Sequence, residues 1–311
     1  LPAGPCRGRR AARAMHVLLV RHGQSKNNVL EAAHGASARF DAVRVVDPPL
    51  SPLGERQAAL LGRHLGAQLY ESRQRVQLMC SSMTRAIQTT QPLAGALGLR
   101  PLVLPEVHEV QGFYDTSGRD VCGMGSAEIE ARFPDFSAAR IPKAGQGRED
   151  PRGALRRARD FAASLRERAA SGGATSEEVL VIVSHNDFIG LLARALLMPS
   201  STAAMEEKVA SFGDLFAESY WPMNNTGVSH IILGVCPRHK ESYPADSWIV
   251  YWNRSDHLAE CNRSGVQFKN TGYCSGAEWA RVGEGGSGMQ PKFNERKTVH
   301  AFSPPTWAMV A

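Results

Sequence analysis

The sequence predicts an α/β protein, a three-layer αβα sandwich around a mostly parallel central sheet. Two apolar runs of strand length, HVLLV (His16–Val20) and VLVIV (Val179–Val183), are continuous rather than alternating. Strands covered on both faces read this way. Strand-like runs alternate with segments of helical rhythm along most of the chain, the pattern of a parallel sheet. Both apolar runs also stop at a histidine, in Arg21-His22-Gly23 and in Ser184-His185. The carboxyl ends of parallel strands are where open α/β sheets place ligands.

Residues 1–14 precede the first strand and hold Arg7, Arg9, Arg10 and Arg13 with no acid. They read as a basic leader without regular structure or as sequence upstream of an initiator at Met15. A transit peptide would carry more large apolar residues. Residues 15–258 are expected to form one domain. After the first strand, the polar, Ala-rich stretch from Ser25 to Val46 reads as loop and short helix. Pro48 to Gly54 is a rigid turn, and Glu55–Tyr70 has apolar residues at helical spacing (Ala59, Leu60, Leu65, Leu69). Arg75–Cys80 is a second strand. Ser81, Ser82 and Thr84 offer capping oxygens to a helix over Met83–Leu97, in which Pro92 is a candidate kink. Leu102–Leu104 is a brief strand.

Residues 106–150 and 199–224 read as lid segments inserted over a pocket. Gly153–Ala170 is a helix followed by a turn over 171–175. Phe188–Met198 is a helix that Pro199 stops. His230–Val235 and Ser247–Trp252 are strands, with 237–246 between them a basic rim or a solvated loop. Residues 259–311 read as an extension, partly unstructured or packed back on the domain, in which Gly283 to Gly288 is flexible by composition.

Composition excludes several classes. With 43% hydrophobic and 21% charged residues in 311, the chain has enough apolar surface for a folded core. No apolar run nears the roughly 18 residues needed to cross a bilayer, so no membrane partner is expected. The net charge is +6, and the leader alone holds four of those charges. The rest lacks the basic stripe with interleaved aromatics that nucleic acid requires. Six cysteines (Cys6, Cys80, Cys122, Cys236, Cys261, Cys274) are scattered without a CxxC pair. Free thiols and a reducing, cytoplasmic location are expected. A Cys261–Cys274 disulfide has no support in the spacing. The ten histidines show no HExxH or HxH spacing, and no metal or other cofactor is expected.

The residue types at the strand ends suit one chemistry. Arginine binds phosphate oxygens bidentately and stays charged. Neutral imidazole can attack phosphorus and hold the phosphoryl group. A second histidine can stabilise the oxygens as charge shifts. A carboxylic acid can protonate the leaving oxygen and then activate water.

Four segments follow in order: Arg21-His22-Gly23-Gln24-Ser25-Lys26-Asn27-Asn28, then Leu50-Ser51-Pro52-Leu53-Gly54-Glu55-Arg56-Gln57-Ala58, then Ser81-Ser82-Met83-Thr84-Arg85-Ala86-Ile87-Gln88-Thr89, then Val183-Ser184-His185. Together they resemble the motifs of the histidine phosphatase, or phosphoglycerate-mutase-like, superfamily. Asn225 and Asn253 to Leu258 resemble its last strands, so the likeness covers about residues 16–258.

The resemblance implies that His22 is a nucleophile that becomes phosphohistidine and that Arg21, Arg85 and His185 form a phosphate pocket. It implies that Asn28 assists, that Ser25 orients a phosphate oxygen or caps the next segment, and that Gly23 leaves the phosphate room or simply turns the chain. The general acid falls on Glu109, three residues before Gly112, with Glu106 the alternative. The family's usual Gly-x-x-Glu-Gly is replaced by Gly112-Phe113-Tyr114-Asp115-Thr116. Phe113 and Tyr114 therefore line a bulkier substrate site or pack a lid. Gln24 and Asn27 stand where the mutases have Glu and Trp. The implied activity is a metal-independent phosphomonoester hydrolase acting on a small phosphorylated metabolite or a phosphoprotein. A phosphoglycerate mutase or sugar bisphosphatase and a non-catalytic scaffold on the same fold are the alternatives, and a homodimer is left open.

Overall fold

A computed structural model describes residues 14–264 except 36, 73, 142–147, 171–177, 220 and 235–245. The leader up to residue 13, the turn over 171–175, the loop at 237–245, the last residue of the expected strand at Val235 and the extension beyond residue 264 lie outside the described residues.

The described chain runs β1 (Ala14–Arg21), α1 (Lys26–His34), α2 (Ala38–Val43), α3 (Pro52–Glu71), β2 (Arg75–Ser81), α4 (Thr84–Leu97) and β3 (Leu102–Leu104). It continues through a 3-10 turn (Pro105–Val107), α5 (Ser126–Arg132), β4 (Ser137–Ala138), α6 (Pro151–Ala170), β5 (Glu178–Ser184) and α7 (Asn186–Leu197). Then come α8 (Pro199–Lys208), α9 (Phe212–Ser219), β6 (Val228–Gly234), β7 (Asp246–Arg254) and a 3-10 turn (Glu260–Asn262). The seven strands lie in the order β4-β3-β2-β5-β1-β6-β7. The first five in that order pair in parallel, and β6 and β7 are antiparallel additions at one edge.

The two continuous apolar runs are the central neighbours β1 and β5, paired from His16↔Val179 to Arg21↔Ser184. Their side chains alternate between two cores. Val17, Leu19, Leu180 and Ile182 join Leu155, Ala158, Phe188 and Leu192 of α6 and α7 on one face. Leu18, Val20, Val181 and Val183 join Leu61, Leu65, Ile87 and Leu93 of α3 and α4 on the other. Complete burial on both faces explains why neither strand shows a polar alternation, and it produces the three layers. At about 1.5–3 kcal/mol per buried aliphatic side chain, this central pair is the most strongly held part of the sheet, and its tips are correspondingly well fixed.

The stretch from Ser25 to Val46 holds two short helices with loop around them, as expected, each opened by a serine cap: Ser25 over α1 and Ser37 over α2. One local expectation is corrected. The expected serine and threonine oxygens do not cap α4. Its N-cap is Met83, and the Asp47 carboxylate accepts from Thr84 N at 3.0 and 3.2 Å and from Thr84 Oγ1 at 2.6 Å. A carboxylate at a helix N-terminus also meets the positive end of the helix dipole. Within the 106–150 segment, β4 pairs in parallel with β3 and extends the sheet. The 199–224 segment carries α8 and α9.

Candidate active site

Parallel pairing brings four strand tips side by side, in the order β3, β2, β5, β1. β3 leads through its 3-10 turn to Glu109, β2 ends at Ser81 just before Arg85, β5 leads to His185, and β1 delivers Arg21 and His22. His22 N donates to Ser184 O at 2.9 Å, so the two histidine-bearing tips are hydrogen-bonded to one another. The imidazole centroids of His22 and His185 are 5.1 Å apart. Arg85 Nε donates to His22 Nε2 at 3.2 Å. Residues more than 160 positions apart in the chain thus share one pocket.

His22 is buried, and its protonation pattern follows from its partners. Gly23 O, 2.6 Å from Nδ1, can only accept, so Nδ1 carries the hydrogen and Nε2 keeps a lone pair. Burial, then Arg85 and Arg21, hold its pKa well below the ordinary imidazole value. The ring is therefore neutral and nucleophilic at physiological pH. His185 is held low by burial and then by Arg85 and His22. Its Nε2 lies 2.8 Å from Ser81 Oγ, while its Nδ1 is buried with no hydrogen-bond partner. A buried polar nitrogen without a partner costs free energy unless a ligand supplies one. Arg21 donates from a guanidinium NH2 group to Met223 O at 2.6 Å.

Glu109 Oε1 accepts from Val110 N at 2.9 Å and Phe188 N at 3.1 Å, which fixes the carboxyl at the start of α7. Burial, then the charge of Asp187, push its pKa up to about 7 against the opposing pull of Arg85. Glu106 is exposed and binds no residue of the pocket through its side chain. Ser184 Oγ donates to Val107 O at 2.7 Å, tying the acid-bearing segment to the β5 tip.

The remaining predicted residues build the loop that follows His22. Ser25 and Asn28 form a reciprocal cap: Asn28 N donates to Ser25 Oγ at 3.2 Å, and Ser25 N to Asn28 Oδ1 at 3.0 Å. A Cβ on Gly23 would meet Gly54 O at 2.7 Å, so backbone packing already demands glycine there before any ligand is considered. Gly23 N donates to Thr89 Oγ1 at 2.9 Å, which in turn donates to Arg85 O at 2.6 Å. Gln24 N donates to Gln57 Oε1 at 2.8 Å, and Ser51 Oγ to Gln24 Oε1 at 2.7 Å. The second and third sequence motifs thus brace the first.

Sequence reasoning singles out neither Asp47 nor Asp187. Asp187, two residues after His185 in the first turn of α7, is findable from its place after a strand end. Asp47 precedes a Pro-Pro turn and carries no such signal. Asp47→Ala is expected to cost about 1 kcal/mol of stability through the lost cap and, by loosening the residue before Arg85, to raise the Kd for inorganic phosphate several-fold. Denaturant melts and phosphate titration measure the two effects separately.

Among the described residues no group of three or more His, Cys, Asp or Glu side chains is arranged to hold a metal ion. No helix among them is long and apolar enough to cross a membrane. Cys80 and Cys261 are free thiols, and Cys274 lies outside the described residues.

No curated protein matches the chain. Similar solved structures include mycobacterial hydrolase 2 (21% identity, 80% of this chain and 94% of that one, TM-score 0.47) and a mycobacterial glucosyl-3-phosphoglycerate phosphatase (21%, 78% and 100%, 0.47). The alpha-ribazole phosphatase of Shigella flexneri is another (18%, 77% and 96%, 0.45). At these identities and scores the likenesses carry no argument about this chain's substrate. The family model of the histidine phosphatase superfamily, branch 1, matches residues 17–210, and the chain belongs to that superfamily.

Proposed function

We propose that the protein is a phosphomonoester hydrolase working through phosphohistidine on His22. The observation that carries this reading is a neutral imidazole whose Nε2 lone pair faces the Arg85 guanidinium, beside the unpartnered Nδ1 of His185. In the first step His22 Nε2 attacks phosphorus and the bond to the leaving oxygen breaks. Arg21, Arg85 and His185 take up the phosphoryl charge, and the Glu109 carboxyl gives its proton to the leaving oxygen. In the second step water attacks the phosphohistidine, Glu109 takes the proton from that water, and phosphate leaves as the imidazole is restored. The leaving group belongs to a small phosphorylated metabolite or a phosphoprotein, since both present the same terminal group.

The test is rapid quenching with a labelled phosphomonoester. Release of inorganic phosphate with transient, acid-labile label on His22 is expected. Transfer between positions of phosphoglycerate without release would make the protein a mutase, and neither label nor release would make it a scaffold.

The acid sets the pH dependence. Glu109 works protonated, so kcat/KM is expected to fall as pH rises through about 7. Asp187→Asn removes a negative neighbour that helps keep that proton on. The Glu109 pKa then drops and the basic limb of the profile moves to lower pH. A limb that stays put, or moves up, contradicts the assignment.

A further inference from the structure

Two of the places where the sequence departs from the family pattern are linked in space by one loop. Asn27, in place of the mutases' Trp, makes paired hydrogen bonds to one backbone unit: its Nδ2 donates to Val45 O at 2.8 Å and its Oδ1 accepts from Val45 N at 2.9 Å. This pins the loop after α2, whose far end is Asp47, the residue capping α4 beside Arg85. Its near end is Arg44. The Arg44 guanidinium lies 3.7 Å from the ring centroid of Tyr114, in the segment that replaces the family's Gly-x-x-Glu-Gly, and donates to Tyr114 O at 2.8 Å. Arg148 approaches the same ring at 5.7 Å.

Arg44 is not a neutralised surface charge. Among the described residues no carboxylate pairs with it, and its Nε is buried without an acceptor. Its charge also reaches the phosphate pocket. Arg85 is lowered first by burial, Asp47 and Glu109 oppose that, and Arg44 adds to the lowering, with Tyr114 again opposing. A half-buried cation with an unfilled donor, stacked on an aromatic ring and tied through its loop to the residue that caps α4 beside Arg85, has the chemistry to receive an anion.

We propose that Arg44, stacked on Tyr114, is a second anion subsite that selects phosphomonoesters bearing another acidic group, a carboxylate or a second phosphate, a few bonds from the scissile one. This rests on the phosphatase reading. An anion so placed supplies the acceptor that Arg44 lacks and offsets the repulsion between Arg44 and Arg85. A plain alkyl phosphate does neither.

The experiment compares kcat/KM for propyl phosphate, 3-phosphonooxypropanoate and propane-1,3-diyl bisphosphate, one spacer with three termini, with p-nitrophenyl phosphate as the common reference. The wild-type protein is expected to favour one or both anionic members over propyl phosphate by about tenfold or more, the scale of one charge-assisted hydrogen bond. Which of the two it favours tells carboxylate from phosphate. Arg44→Met is expected to erase that preference, mainly through KM, and Arg44→Lys to restore part of it. A wild type without preference, or a loss in Arg44→Met that is equal across the series, overturns the subsite and leaves Arg44 as a latch on Tyr114. If Arg44→Met fails to fold by circular dichroism, the wild-type series and Arg44→Lys decide: a preference that the lysine variant keeps only in part supports the subsite, and one that it keeps undiminished overturns the role given to the Arg44 guanidinium. No turnover of p-nitrophenyl phosphate by the wild type would instead remove the phosphatase reading itself.

Discussion

Replacing His22 with alanine is expected to lower phosphomonoester hydrolysis by on the order of 10⁴-fold or more, the scale on which nucleophiles fail when removed, and to eliminate the labelled phosphoenzyme. The loss is separable from misfolding because the loop is held by its backbone. His22 N binds Ser184 O, and His22 O accepts from Asn225 Nδ2 at 3.0 Å, bonds that alanine retains. The side chain itself gives up its hydrogen bonds to Gly23 O and Arg85 Nε and its ring contact with His185. Circular dichroism of the variant is therefore expected to match the parent, and phosphate should still bind through Arg21, Arg85 and His185. His185→Ala sets the comparison. It removes a group that stabilises the phosphoryl oxygens but not the one that forms the bond, so a drop of roughly 10²–10³-fold with the label still trapped at His22 is expected. Equal label in the His22 variant would move the nucleophile elsewhere and end the phosphohistidine reading.

The legible part of this molecule is what burial and chain order write into the sequence. The central strands show as VLLV and VLVIV because Val17–Val20 and Val179–Val183 are buried on both faces of the sheet. The histidines at their ends show because a strand tip is where an apolar run must stop. The second and third motifs are visible as patterns, yet their purpose is not: that Gly54 lies against Gly23, or that Thr89 receives Gly23 N, depends on which helix packs over which tip. Asp47 is invisible for the same reason, since it caps a helix that begins 37 residues later. Periodicity expected a capping serine there, and a distant carboxylate took the place. The Ser25–Val46 stretch shows as no more than loop and short helix because α1 and α2 bury no residue fully and so carry little apolar rhythm. β4, of two residues, has no sequence signal at all and exists only because β3 offers an unpaired edge.

The choice between Glu109 and Glu106 is decided by a substitution whose effect depends on the substrate. Glu109→Gln keeps the shape of the side chain and an oxygen to accept from Val110 N and Phe188 N, but it cannot give up a proton. An alkyl phosphate leaves as a strongly basic alkoxide and needs that proton. Its hydrolysis is expected to fall by roughly 10²–10⁴-fold, the usual worth of general acid catalysis. p-Nitrophenyl phosphate leaves as a stabilised phenolate and needs none, so phosphorylation of His22 should stay fast and the phosphoenzyme should accumulate, because attack by water has lost its base. The basic limb near pH 7 should vanish with the carboxyl. Glu106→Gln, exposed and outside the pocket, is expected to leave both substrates within about twofold. The reverse outcome, with Glu106→Gln selective for alkyl esters, would require the 3-10 turn after β3 to reorganise on binding. It would also leave unexplained why Glu109 is the carboxyl whose pKa burial and then Asp187 push up to about 7, with Arg85 opposing.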